Sequence, residues 1–270
     1  MAVTPQAKAK LRLIISELKC YSPNHNVSEE IIDNGSVKTF AMCERLAIQG
    51  NAEAQSLLGH IYESGNGIEK DFNKAFYWHE KAAKQGYASA QASLGFMYAL
   101  GRGVEENLAK AFYWHEKAAR QGDASGQSAL GTAFSTSGVV KKDLKEAFYW
   151  YEKSAEQGLS SSQLAIGNMY EYGKGVGQDF PLAFKWYKKA AEQGHAKAQT
   201  FISIMYGNGK GISKDKTQAF YWAEKVAIQG EVDAQSYLSN LYFLGIGTNK
   251  DTEKATYWLQ KSNRGGSKEG

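Results

Sequence analysis

Two Ser-x-x-Lys tetrapeptides are the segments whose residue types could support acyl-transfer chemistry. They span Ser16–Lys19 and Ser213–Lys216. In β-lactamases and penicillin-binding proteins, this motif carries the serine nucleophile, and Ser-Asp-Asn and Lys-Thr-Gly segments complete the site. The chain contains neither tripeptide. We therefore interpret both tetrapeptides as chance occurrences and predict no catalytic residue.

Histidines are the residues that could bind a metal ion. His79 and His115 are 36 residues apart, at equivalent positions of a repeated segment, whereas His25, His60 and His195 are isolated. The same position is filled later in the chain by Tyr151, Tyr187, Ala223 and Leu259. A variable position with no carboxylate at a supporting spacing is typical of packing rather than of a metal site. The sequence thus predicts no metal and no other cofactor.

Two glycine-rich segments, Gly65–Gly67 and Gly173–Gly177, could in principle hold a phosphate group. Neither follows a predicted strand, and neither ends in the Gly-Lys-[Ser/Thr] of a phosphate-binding loop. We predict that both are turns between helices.

A 36-residue repeat contains all of these residues except Ser16–Lys19 and His25. The segment Ala75–Gly86 returns at Ala111–Gly122 with one change, Lys84 to Arg120. The tryptophans of the chain follow the same period: Trp78, Trp114, Trp150, Trp186, Trp222 and Trp258. A constant period of this length is the sequence signature of a repeat array.

Each repeat predicts two helices joined by a glycine-containing turn. In the first helix, apolar residues at positions 54, 58, 61 and 62 form one face, and Gly59 allows close packing. In the second helix, Ala75, Trp78 and Ala82 form a face, and Asp71 is placed to cap the start. The predicted repeats span 51–86, 87–122, 123–158, 159–194, 195–230 and 231–266, after a half repeat at 36–50 and before a tail at 267–270.

Residues 1–35 predict an N-terminal helix followed by a connector. Leu11, Ile14, Ile15 and Leu18 form an apolar stripe at helical spacing. Because the end of a repeat array must be covered, we expect this helix to cap the first repeat. The basic residues beside the stripe leave attachment to a membrane surface as the alternative.

Composition and charge exclude several classes of function. Lys and Arg number 32 against 28 Asp and Glu, so the net charge of +4 favours no nucleic-acid partner. Cys20 and Cys43 are not arranged as a disulfide framework, which is typical of a reducing compartment. With no apolar run long enough to span a bilayer and no signal peptide, we predict no membrane insertion and a cytoplasmic protein. Secretion by a route without a cleavable signal stays open.

The repeat motif resembles a known family. Ala-x-Ala-Gln-x-x-Leu-Gly-x-x-Tyr, then Gly-x-Gly, then Asp-x-x-Lys-Ala-x-x-Trp-x-x-Lys-Ala-Ala-x-Gln-Gly is similar to the Sel1-like repeat, a relative of the tetratricopeptide repeat, over residues 36–266. The resemblance implies an all-α fold, a right-handed α-solenoid of helix–turn–helix repeats. Two departures occur. Ser137–Val139 replaces Gly-x-Gly and predicts an altered loop, while Ser203 and Ser239 replace the helix glycine and predict slightly wider helix spacing.

The resemblance also implies a function, because family members act as scaffolds and adaptors for other proteins. We therefore expect a non-enzymatic scaffold with one protein partner. The alternative, also implied by the family, is an immunity protein that binds and neutralises a bacterial toxin or enzyme. Two weaker alternatives are a β-lactam-binding member, although the paired cysteines of that branch are missing, and an RNA-binding helical repeat, although the exposed columns of the first helices vary from apolar to acidic between repeats.

A partner is expected on the face of the first helices that lies opposite the core. Positions 53, 56, 60, 63 and 64 point away from position 58 at 100° per residue and should line the concave groove of a solenoid. Apolar residues recur there without an internal need for them, among polar neighbours. The predicted protein-binding residues are His60, Glu63, Phe96, Leu100, Leu164, Asn168, Glu171, Tyr172, Ile204, Asn208, Asn240, Phe243 and Leu244.

Overall fold

A computed structural model describes residues 37–65 and 68–266. Within these ranges, every regular element is an α-helix. The thirteen helices of the described residues are α1 (Val37–Ile48), α2 (Ala52–Ser64), α3 (Phe72–Lys84), α4 (Ala88–Leu100), α5 (Leu108–Arg120), α6 (Ala124–Ser135), α7 (Leu144–Glu156), α8 (Ser160–Tyr172), α9 (Phe180–Glu192), α10 (Ala196–Asn208), α11 (Lys216–Ile228), α12 (Val232–Leu244) and α13 (Thr252–Gly266). None of these helices combines the length and apolar character that crossing a bilayer requires.

The chain divides into two compact units, one ending at Leu130 and the other beginning at Gly131. In the first unit, each helix from α1 to α5 packs against the next. In the second unit, the same holds from α7 to α13. The prediction of an all-α solenoid of helix–turn–helix repeats is confirmed. The predicted N-terminal capping helix and the tail at 267–270 lie outside the described residues.

Side-chain caps fix where the second helix of a repeat begins. The Asp71 carboxylate accepts a hydrogen bond from the Lys74 backbone N–H at 3.0 Å, as its position predicts. Asp179 accepts from the Leu182 N–H at 2.8 Å in the same way. Each cap satisfies one of the N–H groups that a helix start leaves without an intrahelical partner.

Small residues of the second helices and branched residues of the first helices form the cores. In the first unit, Leu94 is buried in a cluster with Ala82 and Ala111. In the second unit, Ile202 and Ala190 belong to an equivalent cluster. Alanines allow neighbouring helices to approach closely. Larger side chains fill the gaps that remain between them.

One glutamine per repeat bonds the repeat to the helix before it. Gln199 donates to the Ala191 carbonyl at 3.0 Å and accepts from the Gln229 side chain at 2.8 Å. Gln91 is equivalent and bonds Ala83 and Gln121. The accepting carbonyls of Ala83 and Ala191 belong to the last turn of the preceding helix and not to the loop between helices. The same glutamine donates to a helix-end carbonyl at positions 55, 127, 163 and 235.

We expect Gln199→Met to destabilise the protein by about 1–2 kcal/mol, because a buried hydrogen-bonded amide is lost while its volume is kept. Gln229→Met should lower the free energy of unfolding by less, because Gln229 is exposed and contributes only the hydrogen bond to the Gln199 side-chain oxygen. Chemical denaturation of both variants measures the difference. Equal losses would contradict the importance of the buried bond.

The third repeat has an altered loop, as predicted from Ser137–Val139. Its first helix, α6, ends at Ser135 after 12 residues, whereas α8 and α10 each have 13. A Cβ built on Gly138 would meet no atom within 4 Å. Val139, which holds the position of Gly175 in this loop, does not have a positive φ, whereas Gly175 has φ of +74°.

Cys43 is a buried free thiol. Its Sγ donates a weak hydrogen bond to the Ala54 carbonyl at 3.4 Å. Burial, with a smaller effect of Glu44, raises the pKa of the Cys43 thiol to about 12. A thiol with this pKa is protonated at neutral pH and therefore unreactive. Cys20 lies outside the described residues.

Candidate functional site

In four repeats, a ring from the second helix packs against a glycine of the first helix. We call this the glycine–ring contact. A Cβ on Gly59 would lie 2.7 Å from the His79 ring, and one on Gly167 would lie 2.4 Å from the Tyr187 ring. Gly95 and His115 form the same contact, as do Gly131 and Tyr151. The missing Cβ thus makes room for a side chain rather than only for a closer backbone.

The fourth repeat shows what a polar ring does in this position. The Tyr187 hydroxyl oxygen lies 2.7 Å from Asn168 Oδ1 and 2.7 Å from Glu171 Oε2. The hydroxyl has one hydrogen, which we assign to the charged carboxylate. Burial and the bond to Glu171 raise the pKa of Tyr187 far above its usual value. The other Glu171 oxygen accepts from Lys210 Nζ at 2.9 Å, so both oxygens of this carboxylate have a hydrogen-bond partner.

The first repeat places two histidines and a carboxylate at the same positions. His60 and Glu63, one turn apart on α2, face His79 of α3. One ligand atom from each of the three side chains lies within 4.8 Å of the others, and Glu63 Oε2 is 3.9 Å from His79 Nε2. The interpretation of His60 as an isolated histidine is therefore wrong. Sequence spacing did not show that α2 and α3 bring these side chains together.

Arg102 completes this group from the loop after α4. Its guanidinium donates to Glu63 Oε1 at 3.3 Å, as Lys210 donates to Glu171 in the fourth repeat. The arginine holds one carboxylate oxygen, so the other is left facing His79. Because the Glu63 side chain is 26% exposed, the cluster is open to solvent on that side.

Burial lowers the pKa of both histidines in the first repeat. The pKa of His79 lies well below the usual value because burial disfavours the charged ring, and His60 lowers it further. The pKa of His60 is lowered by burial, while the Glu63 carboxylate partly opposes this shift. Both imidazoles are therefore neutral at neutral pH and each has one nitrogen lone pair.

The second repeat has the histidine but not its neighbours. His115 is buried like His79, yet Phe96 and Ala99 stand where the first repeat has His60 and Glu63. The Phe96 ring meets His115 edge-on at 4.6 Å between centroids, the same separation as between His60 and His79. Burial lowers the pKa of His115 to about 4, while a hydrogen bond to the Ala92 backbone partly opposes this shift. Its Nε2 is buried without a hydrogen-bond partner among the described residues, and Phe96 and Ala99 place no donor atom beside it.

Serine replaces the glycine where no ring has to be accommodated. Ser203 stands opposite Ala223 in the fifth repeat, and its hydroxyl donates to the Ala219 carbonyl at 2.7 Å. Ser239 donates to the Ala255 carbonyl at 2.7 Å in the sixth repeat, whose ring position holds the exposed Leu259. Ser203 and Ser239 therefore replace the helix glycine in the two repeats that have no ring at the facing position.

Six of the predicted protein-binding residues form exposed apolar surface on first helices. Their exposure runs from 41% for Phe96 to 61% for Leu244. We call these residues the first-helix apolar surface, with Phe96 and Leu100 in the first unit and Tyr172, Ile204, Phe243 and Leu244 in the second. Asn208 and Asn240, which are also exposed, are polar neighbours in the second unit.

The other predicted residues do not lie on open surface. Leu164 is partly buried against the core cluster around Tyr187 and Ile202. Glu171 is buried beneath the Tyr187 hydroxyl, and Asn168 is half-buried beside it. The reason is that a first helix is enclosed on several sides by the helices that pack against it. Residues opposite position 58 are therefore partly inside.

A second set of exposed aromatic residues was missed by the sequence analysis. Tyr149 and Tyr221 on second helices are 47% and 44% exposed. Each ring lies edge-on to the following tryptophan and beneath a lysine ammonium group. Equivalent tyrosines are Tyr77, Tyr113 and Tyr257. The recurring Phe-Tyr-Trp segment is the sequence signal that identifies these tyrosines.

The segment Ser213–Lys216 covers the end of the loop before α11 and the first residue of that helix, Lys216. The side chains of Ser213 and Lys216 are both exposed. Ser16–Lys19 lies outside the described residues. An activated serine nucleophile needs a base held against it in an enclosed site. The exposed loop offers no such enclosure to Ser213.

Comparison with known proteins identifies the repeats. The family model described as Sel1 repeat matches residues 52–87, 88–123, 124–159, 160–195, 196–231 and 232–267. The chain belongs to the Sel1 repeat family. Sel1 repeat proteins are generally non-enzymatic scaffolds suited to protein binding. No curated protein matches the chain in sequence.

Solved structures of Sel1 repeat proteins are similar to this chain. A protective antigen present in uropathogenic Escherichia coli strains is 35% identical with a TM-score of 0.76, covering 83% of this chain and 48% of the antigen. The chain thus spans about half the length of that relative. A Sel1 repeat protein from Oxalobacter formigenes is 32% identical with a TM-score of 0.74, covering 85% and 99% of the two chains. An immunity protein from Pseudomonas aeruginosa, at 18% identity and a TM-score of 0.51 over 79% and 81%, shares the fold.

Proposed function

We propose that this Sel1 repeat protein is a non-enzymatic scaffold that holds a protein partner against the second-unit part of its first-helix apolar surface. The observation that supports the proposal is the exposure of four large apolar side chains in the second unit, Tyr172, Ile204, Phe243 and Leu244. These apolar side chains recur on the first helices of the repeats and have polar neighbours. Such an arrangement is typical of a protein contact surface.

A protein is the class of partner that fits this surface chemistry. Tyr172 and Phe243 are large aromatic anchors of the kind that dominate the binding energy of protein interfaces. Lys174 and Lys250 lie over these two rings at 5.2 Å and can form a polar rim. An extended anionic ligand such as RNA would need basic residues in fixed columns of this surface, whereas the exposed column of the first helices contains Phe96, Ile204 and Asn240.

The test is a triple variant in the second unit, Tyr172→Ser, Ile204→Ser and Phe243→Ser. Proteins captured by the wild-type chain from its native cells are identified, produced recombinantly and titrated against wild type and variant by calorimetry. We expect the variant to weaken binding at least about 100-fold, because several anchors of about 1–2 kcal/mol or more are removed. The melting temperature should stay close to wild type, since these side chains are exposed.

The matched control is Tyr149→Ser with Tyr221→Ser, which removes equally exposed aromatic side chains from second helices of the same unit. This control should bind the partner with unchanged affinity. If the control loses binding and the triple variant keeps it, the partner occupies the second-helix tyrosines instead. Normal binding by both variants would also refute the proposed surface.

A further inference from the structure

The cluster of His60, Glu63 and His79 in the first repeat is not explained by protein binding or by packing alone. His79 is fully buried, with an exposure of 0%. Among the described residues, neither of its ring nitrogens has a hydrogen-bond partner. Burying two polar atoms without hydrogen-bond partners is energetically unfavourable. The unpartnered nitrogens of His79 therefore require an explanation.

The donor atoms of the cluster have the arrangement of a metal site. His60 and Glu63 are at i and i+3 on α2, the spacing by which metal ligands project from one helix of a bundle toward a facing helix. His79 supplies the third donor from α3. A zinc ion with bonds of about 2.0–2.2 Å needs its donors about 3.4 Å apart. The separations here, all within 4.8 Å and 3.9 Å between Glu63 Oε2 and His79 Nε2, require only small side-chain rotations.

The other repeats show that this cluster is specific to the first. In the fourth repeat, the Tyr187 hydroxyl satisfies the equivalent carboxylate directly. In the second repeat, His115 has one nitrogen bonded to Ala92, and apolar residues replace the other two donors. Only the first repeat, among the described residues, brings three side chains of the His, Cys, Asp and Glu types together as possible ligands.

We propose that His60, Glu63 and His79 bind one divalent transition-metal ion, with Zn²⁺ the best-fitting ion. Two imidazole nitrogens and one carboxylate oxygen form a donor set that zinc accepts in proteins. Arg102 acts as a positioning residue. Its guanidinium binds Glu63 Oε1 at 3.3 Å and thereby orients Oε2 toward His79. The solvent-facing side next to Glu63 leaves a fourth coordination position for water or for a side chain of a bound partner.

The test is a titration of the full-length chain, produced without a histidine tag and stripped of metal with a chelator, with Zn²⁺ alone in a calorimeter. We expect one equivalent of tightly bound Zn²⁺ per chain. His60→Phe and Glu63→Ala each install the residue that the second repeat already has at that position, so both variants should fold. Each should weaken Zn²⁺ binding at least about 100-fold, more than the loss of an outer-shell partner.

The matched control is His115→Tyr, which removes the other buried histidine of the same column and installs the residue of the third and fourth repeats. It should still bind one equivalent of Zn²⁺. Substituted Co²⁺ gives a second readout, since its visible absorption reports ligands around the ion and should disappear in His60→Phe. The proposal is wrong if wild type binds no equivalent of Zn²⁺, or if His60→Phe and Glu63→Ala both retain it.

A gain of binding tests the same geometry without removing any ligand. The double variant Phe96→His and Ala99→Glu gives the second repeat the donor set of the first around His115. We expect this variant to bind a second equivalent of Zn²⁺. If it keeps its helical circular dichroism spectrum and binds no second ion, the three donors do not suffice without a counterpart of Arg102, whose equivalent position holds Gly138, and the wild-type titration decides the proposal.

Discussion

Gly175→Ala is expected to destabilise the protein by about 3–5 kcal/mol, whereas Gly177→Ala, two residues away in the same loop, should have little effect. Gly175 has φ of +74°, and a Cβ there would lie 2.1 Å from the Leu144 carbonyl oxygen. An alanine would therefore combine backbone strain with a clash against main-chain atoms that begin α7. Gly177 has no atom within 4 Å of its Cβ position. Thermal and chemical denaturation of both variants compare the two sites directly.

The control separates the contact from the general effect of replacing a loop glycine. If Gly175→Ala and Gly177→Ala shift the denaturation midpoint equally, the close approach between the loop and α7 does not stabilise the protein. A large effect at Gly175 alone would show that this loop joins one repeat to the helix of the repeat before it.

Gly167→Ala should lower stability by about 3 kcal/mol, while Gly207→Ala should raise it by about 0.5–1 kcal/mol. A Cβ at Gly167 would lie 2.4 Å from the Tyr187 ring, which is fully buried and stacked on Phe201 at 4.7 Å. The ring cannot retreat without losing its bond to Glu171. At Gly207 the nearest atom is the Ala219 Cβ at 3.8 Å, so alanine gains helix propensity without a clash. Chemical denaturation should show opposite signs.

A double-mutant cycle tests the cause. The fifth repeat pairs Ser203 with Ala223, and the double variant Gly167→Ser with Tyr187→Ala installs this pair in the fourth repeat. If the ring causes the clash, the double variant should lose less stability than the two single variants added together. Strict additivity would mean that the glycine is needed for a reason other than the ring.

The fold could be predicted from the sequence because its determinants are local and periodic. The tryptophan period, the apolar faces and caps such as Asp71 all lie within one repeat, and six copies reinforce the same interpretation. The altered loop of the third repeat was predicted for the same reason. Residues 1–35 offered one copy of a pattern, and the predicted capping helix there stays a prediction.

The candidate sites were harder to predict because they depend on how two helices align. His60 and His79 are 19 residues apart, as are Asn168 and Tyr187, whose side-chain oxygens the structure brings within 2.7 Å of each other. A single repeat does not reveal this alignment. Comparison between repeats could have revealed the alignment, because a repeat with a ring at the facing position of the second helix has glycine on the first helix, whereas Ser203 occurs with an alanine at that facing position. The placement of Leu164 on open surface failed because a first helix is enclosed on more than one side.

The bonds between repeats have a consequence for the order in which the protein is made. Gln199 bonds a residue 8 positions earlier, and Lys210 bonds one 39 positions earlier. Neither bond reaches further back than the adjacent repeat. As the chain leaves the ribosome, each new repeat thus finds its partner surface already complete. Interactions of such short range favour rapid folding during translation and limit the time for which apolar helix faces stay exposed to aggregation.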